Sequence, residues 1–328
     1  MTFGSLCSGI GAPEVAWSSL GWTGKWCAEI SSFPAAVLQH RWPELLNLQD
    51  VTAVKGKDVA PVDVIIAGTP CQSFSVAGGG TGLDDPRGNL VFEFLRIVGE
   101  HKPRWFVWEN VTGVLSSTEG RDFSAILGEI QKLGYTCAWR VLDSQYFGVP
   151  QRRRRVFVVG YHGDWRAPAA VLYDKGSMRG CTTSDNQQRE KTDSDFRSGS
   201  LVSDQPLPAK LSHFGGVAQP GDPAFCLTTS GLWNGVIPHP LPVSRYHSNS
   251  NIGDDNLIRD HTPLEFERLQ GFPDNYTRIP WRGRPALECP NSLRYKAVGN
   301  SMAIVVIRWI GVRMSRVDSV LQEDRRDV

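Results

Sequence analysis

The chain lacks the signatures of several protein classes. Neither sign of charge dominates: 35 Lys and Arg stand against 34 Asp and Glu, a net charge of +1. Bulk attraction to a polyanion is therefore excluded, and any anion-binding surface must be local. No apolar run, Met302–Ile307 (MAIVVI) included, approaches the ~20 residues of a membrane span. The opening MTFGSLCSGI has neither the basic nor the long apolar segment of a secretory signal, so a cytoplasmic, reducing setting is expected. The seven cysteines are odd in number and scattered, with no C-x-x-C pair and no His at ligand spacing. That argues against a disulfide framework and structural zinc, and no metal is expected.

What remains is an ordinary globular composition, 328 residues of which 41% are apolar and 21% charged. Residues 1 to about 160 alternate short apolar runs with helix-period segments: FGSLC, WCAEI, VDVIIAG, WFVWEN and VFVVG are separated by FPAAVLQHRW, LVFEFLRIVGEH and FSAILGEIQKL. Strand and helix taking turns predicts a doubly wound α/β domain whose parallel sheet is covered on both faces. From Tyr161 the texture turns polar and rich in Gly and Pro, which predicts a second, smaller and irregular domain over 161–258. Residues 259–328 return to the first domain. Thr262 and Pro263 open a helix there as N-cap and first residue. Ala303, Val306, Ile307, Ile310, Met314, Val317 and Leu321 then mark one face of a final amphipathic helix.

Four segments carry chemistry. The first strand runs into Cys7-Ser8-Gly9-Ile10-Gly11, a glycine-bearing turn that lets a ligand approach the backbone. Glu29 and Asp50 follow at the next two strand ends, where a carboxylate can take ribose hydroxyls. VDVIIAG leads to Thr69-Pro70-Cys71-Gln72-Ser73-Phe74-Ser75 and a glycine-rich loop. A cysteine at that rim is either a small packed side chain or a nucleophile. Trp105–Trp108 ends in Glu109-Asn110-Val111, a carboxyl group able to hold a proton or to cap a helix. In Pro150-Gln151-Arg152-Arg153-Arg154-Arg155, strand alternation sends Arg153 and Arg155 to one face and Arg152 and Arg154 to the other. One pair can then face a phosphate or carbonyl in the cleft.

Taken in this order, P-C-Q-x-F-S, E-N-V, Q-x-R-x-R, the stretch from Arg259 to Pro273 and the run Tyr295 to Ser301 resemble the DNA (cytosine-5) methyltransferases of bacterial and phage type. The resemblance implies a Rossmann-like S-adenosylmethionine-dependent domain (1–160 and 259–328) and a target-recognition domain (161–258). It places Cys7, Gly9, Ile10, Gly11, Glu29, Ile30, Asp50, Val51, Pro70, Leu90, Asn300 and Ser301 around the cofactor. Glu29 would take the ribose and Asp50 the adenine. It makes Cys71 the nucleophile on cytosine C6, Glu109 the acid at N3, Arg155 a neighbour of the base and Arg153 its support. A stacked base cannot present both faces, so the cytosine must be flipped out of the duplex.

Gln72, Ser75 and Arg87 in the closing loop, with Thr228, Thr229 and Arg245 in the polar middle, are the expected DNA contacts. The family usually carries Phe where this chain has Cys7, which weakens stacking on the cofactor. The expected partner is double-stranded DNA, met by a monomer working beside a cognate restriction endonuclease or alone. Rival readings are a tRNA cytosine-5 methyltransferase, a catalytically silent sequence-specific DNA-binding protein and a small-molecule methyltransferase. The length of the polar middle argues against the first. The presence of Cys71, Glu109 and Arg155 argues against the second, and the DNA-type middle with its closing loop against the third.

Overall fold

The computed structural model describes residues 1–70, 90–173 and 260–326. Cys71, Gln72, Ser75, Arg87, Thr228, Thr229 and Arg245 lie outside them, as does most of the expected second domain. The strands are β1 (Thr2–Leu6), β2 (Thr23–Ala28), β3 (Leu46–Asn47), β4 (Val64–Gly68), β5 (Trp105–Val111), β6 (Tyr135–Asp143) and β7 (Arg154–His162). The helices, numbered in chain order, are α1 (Ala12–Ser18), α2 (Ser32–Arg41), α3 (Leu90–His101), α4 (Arg121–Lys132), α5 (Arg166–Leu172), α6 (Pro263–Gln270), α7 (Asn291–Asn300) and α8 (Ile304–Arg326).

Seven strands form one sheet in the order β3-β2-β1-β4-β5-β7-β6. The five from β3 to β5 are parallel, as alternation with helices requires, but β7 runs antiparallel to both β5 and β6. The expected all-parallel sheet is thus corrected to a mixed one. The cause is local: β6 and β7 are joined by a ten-residue hairpin loop rather than a helical crossover, and a hairpin reverses direction. Segment 161–172 completes β7 and forms α5, which packs on β6, β7 and α8.

Side chains along each strand alternate between two cores. Val64, Ile66, Trp105, Val107, Phe157 and Val159 face one core, closed by α1, α5 and α8. Ile65, Ala67, Phe106, Trp108, Val156 and Val158 face the other, closed by α3 and α4. Gly160 on β7 is required by this packing, because a Cβ there would collide with the Phe106 ring. The Thr262 cap is a full capping box: its hydroxyl accepts from Glu265 N–H at 3.3 Å, and its own N–H donates to Glu265 Oε2 at 2.7 Å. Gly271, at φ 84°, ends α6.

The final helix reaches back to the first. Trp17 Nε1 donates to Ile307 O at 3.0 Å, and Gly311 leaves room for the Trp17 ring. A window within Asn291–Glu323 is apolar and long enough to cross a membrane, yet 67% of it is buried in the fold, the condition of a core helix.

Candidate active site

The carboxyl ends of β1, β2, β4 and β5 share one rim, where open α/β sheets hold their ligands. On its β1–β2 side lies the turn Cys7–Gly11. Three of its five residues have left-handed backbone, Cys7 at φ 51°, Gly9 at 58° and Gly11 at 84°. Glycine adopts this conformation freely and Cys7 does so at a cost. A Cβ on Gly9 would meet nothing within 4 Å, so the outer face of the turn is open to an approaching group.

Glu29, just past β2, fixes the turn: its Oε2 accepts from Gly9 N–H at 2.8 Å and its Oε1 from Ser31 N–H at 2.7 Å. Its backbone is held by Asn47 through two bonds of 3.0 Å. Ile30 beside it is 69% exposed, an apolar side chain open to contact at this rim. Asp50 Oδ1 caps the short 3-10 turn Val51–Ala53 through Thr52 N–H at 2.9 Å and Thr52 Oγ1 at 2.8 Å, which holds its carboxyl below the ordinary carboxylate range. Burial, then the charges of Glu29 and Asp50, push the Cys7 thiol up to about 12. Cys7, Glu29 and Asp50 therefore share one neighbourhood, and the thiol is unreactive there. Ile10 is fully buried in the core, so only its backbone is available to a ligand.

On the β4–β5 side, Thr69 Oγ1 accepts from Trp108 Nε1 at 2.9 Å and from Asn110 Nδ2 at 3.1 Å. These bonds lock the end of β4, two residues before Cys71, to the end of β5. Glu109, in register with Gly68, stands 3.3 Å from Arg155 Nε through its Oε1. A Cβ on Gly68 would lie 2.7 Å from Met302 Cε and 3.5 Å from Glu109 Oε2, so the C-terminal segment also meets this rim. Arg152 and Arg154 are exposed while Arg153 is buried and Arg155 mostly so, as strand alternation requires.

Arg153 reaches the C-terminal segment. Its Nη1 donates to Gly299 O at 3.2 Å and its Nη2 to Ser301 O at 2.8 Å. It thereby ties β7 to the junction of α7 and α8, helped by Gln270, whose Nε2 reaches Val298 O and Ser301 O. Asn300 at that junction is exposed, while Ser301 is buried with its hydroxyl turned to Met302 O. Spacing alone does not mark Thr69, Asn110, Met302 or Gln270, since their partners lie far away in the sequence. Among the described residues, no group of three or more His, Cys, Asp or Glu is placed to hold a metal ion.

Fold and rim together define a Rossmann-like methyltransferase. The chain belongs to the C-5 cytosine-specific DNA methylase family, whose model matches residues 1–198. It is 30% identical to the type II methyltransferase M.HpaII of Haemophilus parainfluenzae, over 95% of this chain and 88% of that one. With a DNA N-6-adenine-methyltransferase of Escherichia phage P1 it shares 29% identity over 96% of its own length, spanning 61% of the phage protein. Among solved structures, a methyltransferase of Entamoeba histolytica superposes with a TM-score of 0.64 at 17% identity, covering 96% of this chain and 97% of that one. The Dnmt2 methyltransferase of S. pombe gives 0.61 at 16% identity, covering 96% and 98%. These structural likenesses speak for the fold alone.

Proposed function

We propose that this protein methylates C5 of a flipped-out cytosine within a short duplex sequence, using S-adenosylmethionine and a transient bond from Cys71 to cytosine C6. The observation that carries the reading is the Glu109–Arg155 pair at 3.3 Å, on the rim where β4 ends, three positions before Cys71 in the sequence. The residues 1–160 and 259–328 would form the catalytic domain and 161–258 the target-recognition domain of a monomer.

The cofactor fits the β1–β2 side. Glu29 keeps lone pairs for ribose hydroxyls after accepting its two backbone N–H groups. The open face of Gly9 admits close approach of a ligand, and Ile30 offers an apolar face to a base. Asp50 Oδ2, without a protein partner among the described residues, can accept from an exocyclic amine. When bound, S-adenosylmethionine supplies an electrophilic methyl group on a sulfonium.

The remaining chemistry belongs to the chain. Cytosine C5 is a weak nucleophile until a thiolate adds at C6. Cys71 would make that addition, and Glu109 would hold a proton at N3 as the ring takes up charge. Arg155 orients Glu109 and can stabilise charge on the carbonyl oxygen. Once C5 carries its methyl, loss of the C5 proton and expulsion of the Cys71 thiolate restore the aromatic ring. Cysteine serves both as nucleophile and as leaving group.

Bisulfite sequencing of plasmid DNA from cells expressing the chain or its Cys71→Ala variant tests this. Cytosines protected in one recurring short sequence, and lost with Cys71→Ala, are the expected result. Protection that persists in the variant would overturn the covalent mechanism, and absence of protection with the native chain would overturn the DNA substrate.

A further inference from the structure

Beneath the glycine turn lies a carboxyl group to which the reading above gives no task. Glu14, in the first turn of α1, is 2% exposed and has no cation partner among the described residues. Its Oε1 is 2.6 Å from Ser5 Oγ, while its Oε2 has no hydrogen-bond partner. Ser5 Oγ is in turn 2.8 Å from Ser8 Oγ. Ser8 Oγ lies 2.9 Å from Ser5 O, 3.4 Å from Ala28 O and 3.3 Å from Ala28 N. The chain of hydroxyls thus runs from α1 through β1 and the turn to β2, one residue short of Glu29.

Other groups face Glu14 from each neighbouring element. On β2 is the Cys27 thiol, which feels the charges of both Glu14 and Glu29. After α6 comes Tyr276: a Cβ on Gly11 would lie 3.3 Å from both Glu14 Oε2 and the Tyr276 hydroxyl. That hydroxyl accepts from Trp42 Nε1 at 3.0 Å. Arg41 of α2 sits over the far ring face and donates to the carbonyls of Tyr276 and Asn275. α8 meets α1 through Trp17, and its Arg308 reaches only Ser19.

Each serine hydroxyl has one proton to give. If Glu14 is ionised, Ser5 must donate to Oε1, Ser8 must turn its proton from backbone carbonyls to Ser5, and a charged Oε2 is left without a donor. If Glu14 is a neutral acid, it donates to Ser5, Ser5 to Ser8, and Ser8 to the carbonyl of Ser5 or Ala28. Every short contact is then filled, and the orphan oxygen carries no charge.

We propose that Glu14 is a proton-linked positioning residue of the cofactor turn: the neutral acid drives a hydroxyl relay through Ser5 and Ser8 that clamps the turn to β2. Ionisation reverses the relay and loosens the hold on the cofactor. Burial pushes the Glu14 carboxyl up to about 7, against the pull of hydrogen bonds from Ser5 and from its own backbone N–H, so the switch falls near neutrality. The inference rests on the cofactor reading given above.

Calorimetric titration of the full chain with S-adenosylhomocysteine, from pH about 6 to about 8.5 and in buffers of differing ionisation enthalpy, tests it. The native protein is expected to take up a proton on binding above neutrality and to bind about tenfold more weakly at the alkaline end, the size of a one-unit proton linkage. In Glu14→Gln the amide donates to Ser5 in place of the acid. That variant is expected to keep the low-pH affinity throughout, without the added proton uptake. Ser8→Ala, which cuts the relay beyond Ser5, is expected to bind weakly with a flattened pH profile. No proton uptake by the native protein, or a pH profile unchanged in Glu14→Gln, overturns the proposal whatever Ser8→Ala does. Failure of the native protein to bind the probe at any pH would instead remove the cofactor reading itself.

Discussion

The two sides of the rim are built differently. On the β1–β2 side, left-handed backbone and main-chain N–H groups shape the pocket, with Glu29 satisfied by Gly9 and Ser31 amides. On the β4–β5 side, side chains hold side chains: Thr69 with Trp108 and Asn110, and Glu109 with Arg155. A main-chain cradle depends on backbone N–H groups rather than on which side chains its residues carry. A side-chain cluster does not, because each partner left alone is a buried polar group without a bond.

Substitutions on either side should separate the two halves. The largest effect is expected from Glu109→Gln: turnover should fall by roughly a hundred- to ten-thousandfold, the range of a lost general acid, with cofactor affinity unchanged by calorimetry. Equal losses in both would erase the distinction. Next, Glu29→Ala should weaken S-adenosylhomocysteine binding by about ten- to a hundredfold, matching a charge-assisted bond of ~1.5–3 kcal/mol, while DNA binding in a shift assay is kept. Third, Thr69→Val leaves Trp108 Nε1 and Asn110 Nδ2 without their acceptor, and should cost ~1–3 kcal/mol in chemical unfolding.

The last prediction concerns pH. A carboxyl raised from 4.5 to about 7 on folding adds stability in full below its unfolded value and loses it as pH climbs to the folded one. Relative to Glu14→Gln, the native protein should therefore lose stability between those limits, by at most ~1.4 kcal/mol per pH unit, and stay level above. A flat difference across that window in parallel melts would mean Glu14 is ionised throughout.

Much of this was legible in the order of residues. The α6 cap, the core face of α8 and the shared face of Arg153 and Arg155, opposite Arg152 and Arg154, follow from local rules acting over a few residues. The reversal of β7 did not, because TCAWRVLD alternates too weakly to announce β6, and without β6 the hairpin is invisible. Arg153 also bonds a segment that the sequence pattern does not name. Its carbonyl acceptors come from residues about 150 positions away, and no local rule names them. Glu14 stands in the first turn of α1, and only closure of α1 onto β1 removes it from water.

The bond between Trp17 and Ile307 spans 290 positions. The first helix thus waits for nearly the last one before its indole has a partner. During synthesis, the apolar face of α1 stays uncovered until α8 emerges, a long-range closure that is slow and open to off-pathway association. A nascent chain arrested before Ile304 would be an incomplete layer seeking its lid, and a separately supplied α8 is the piece that could close it.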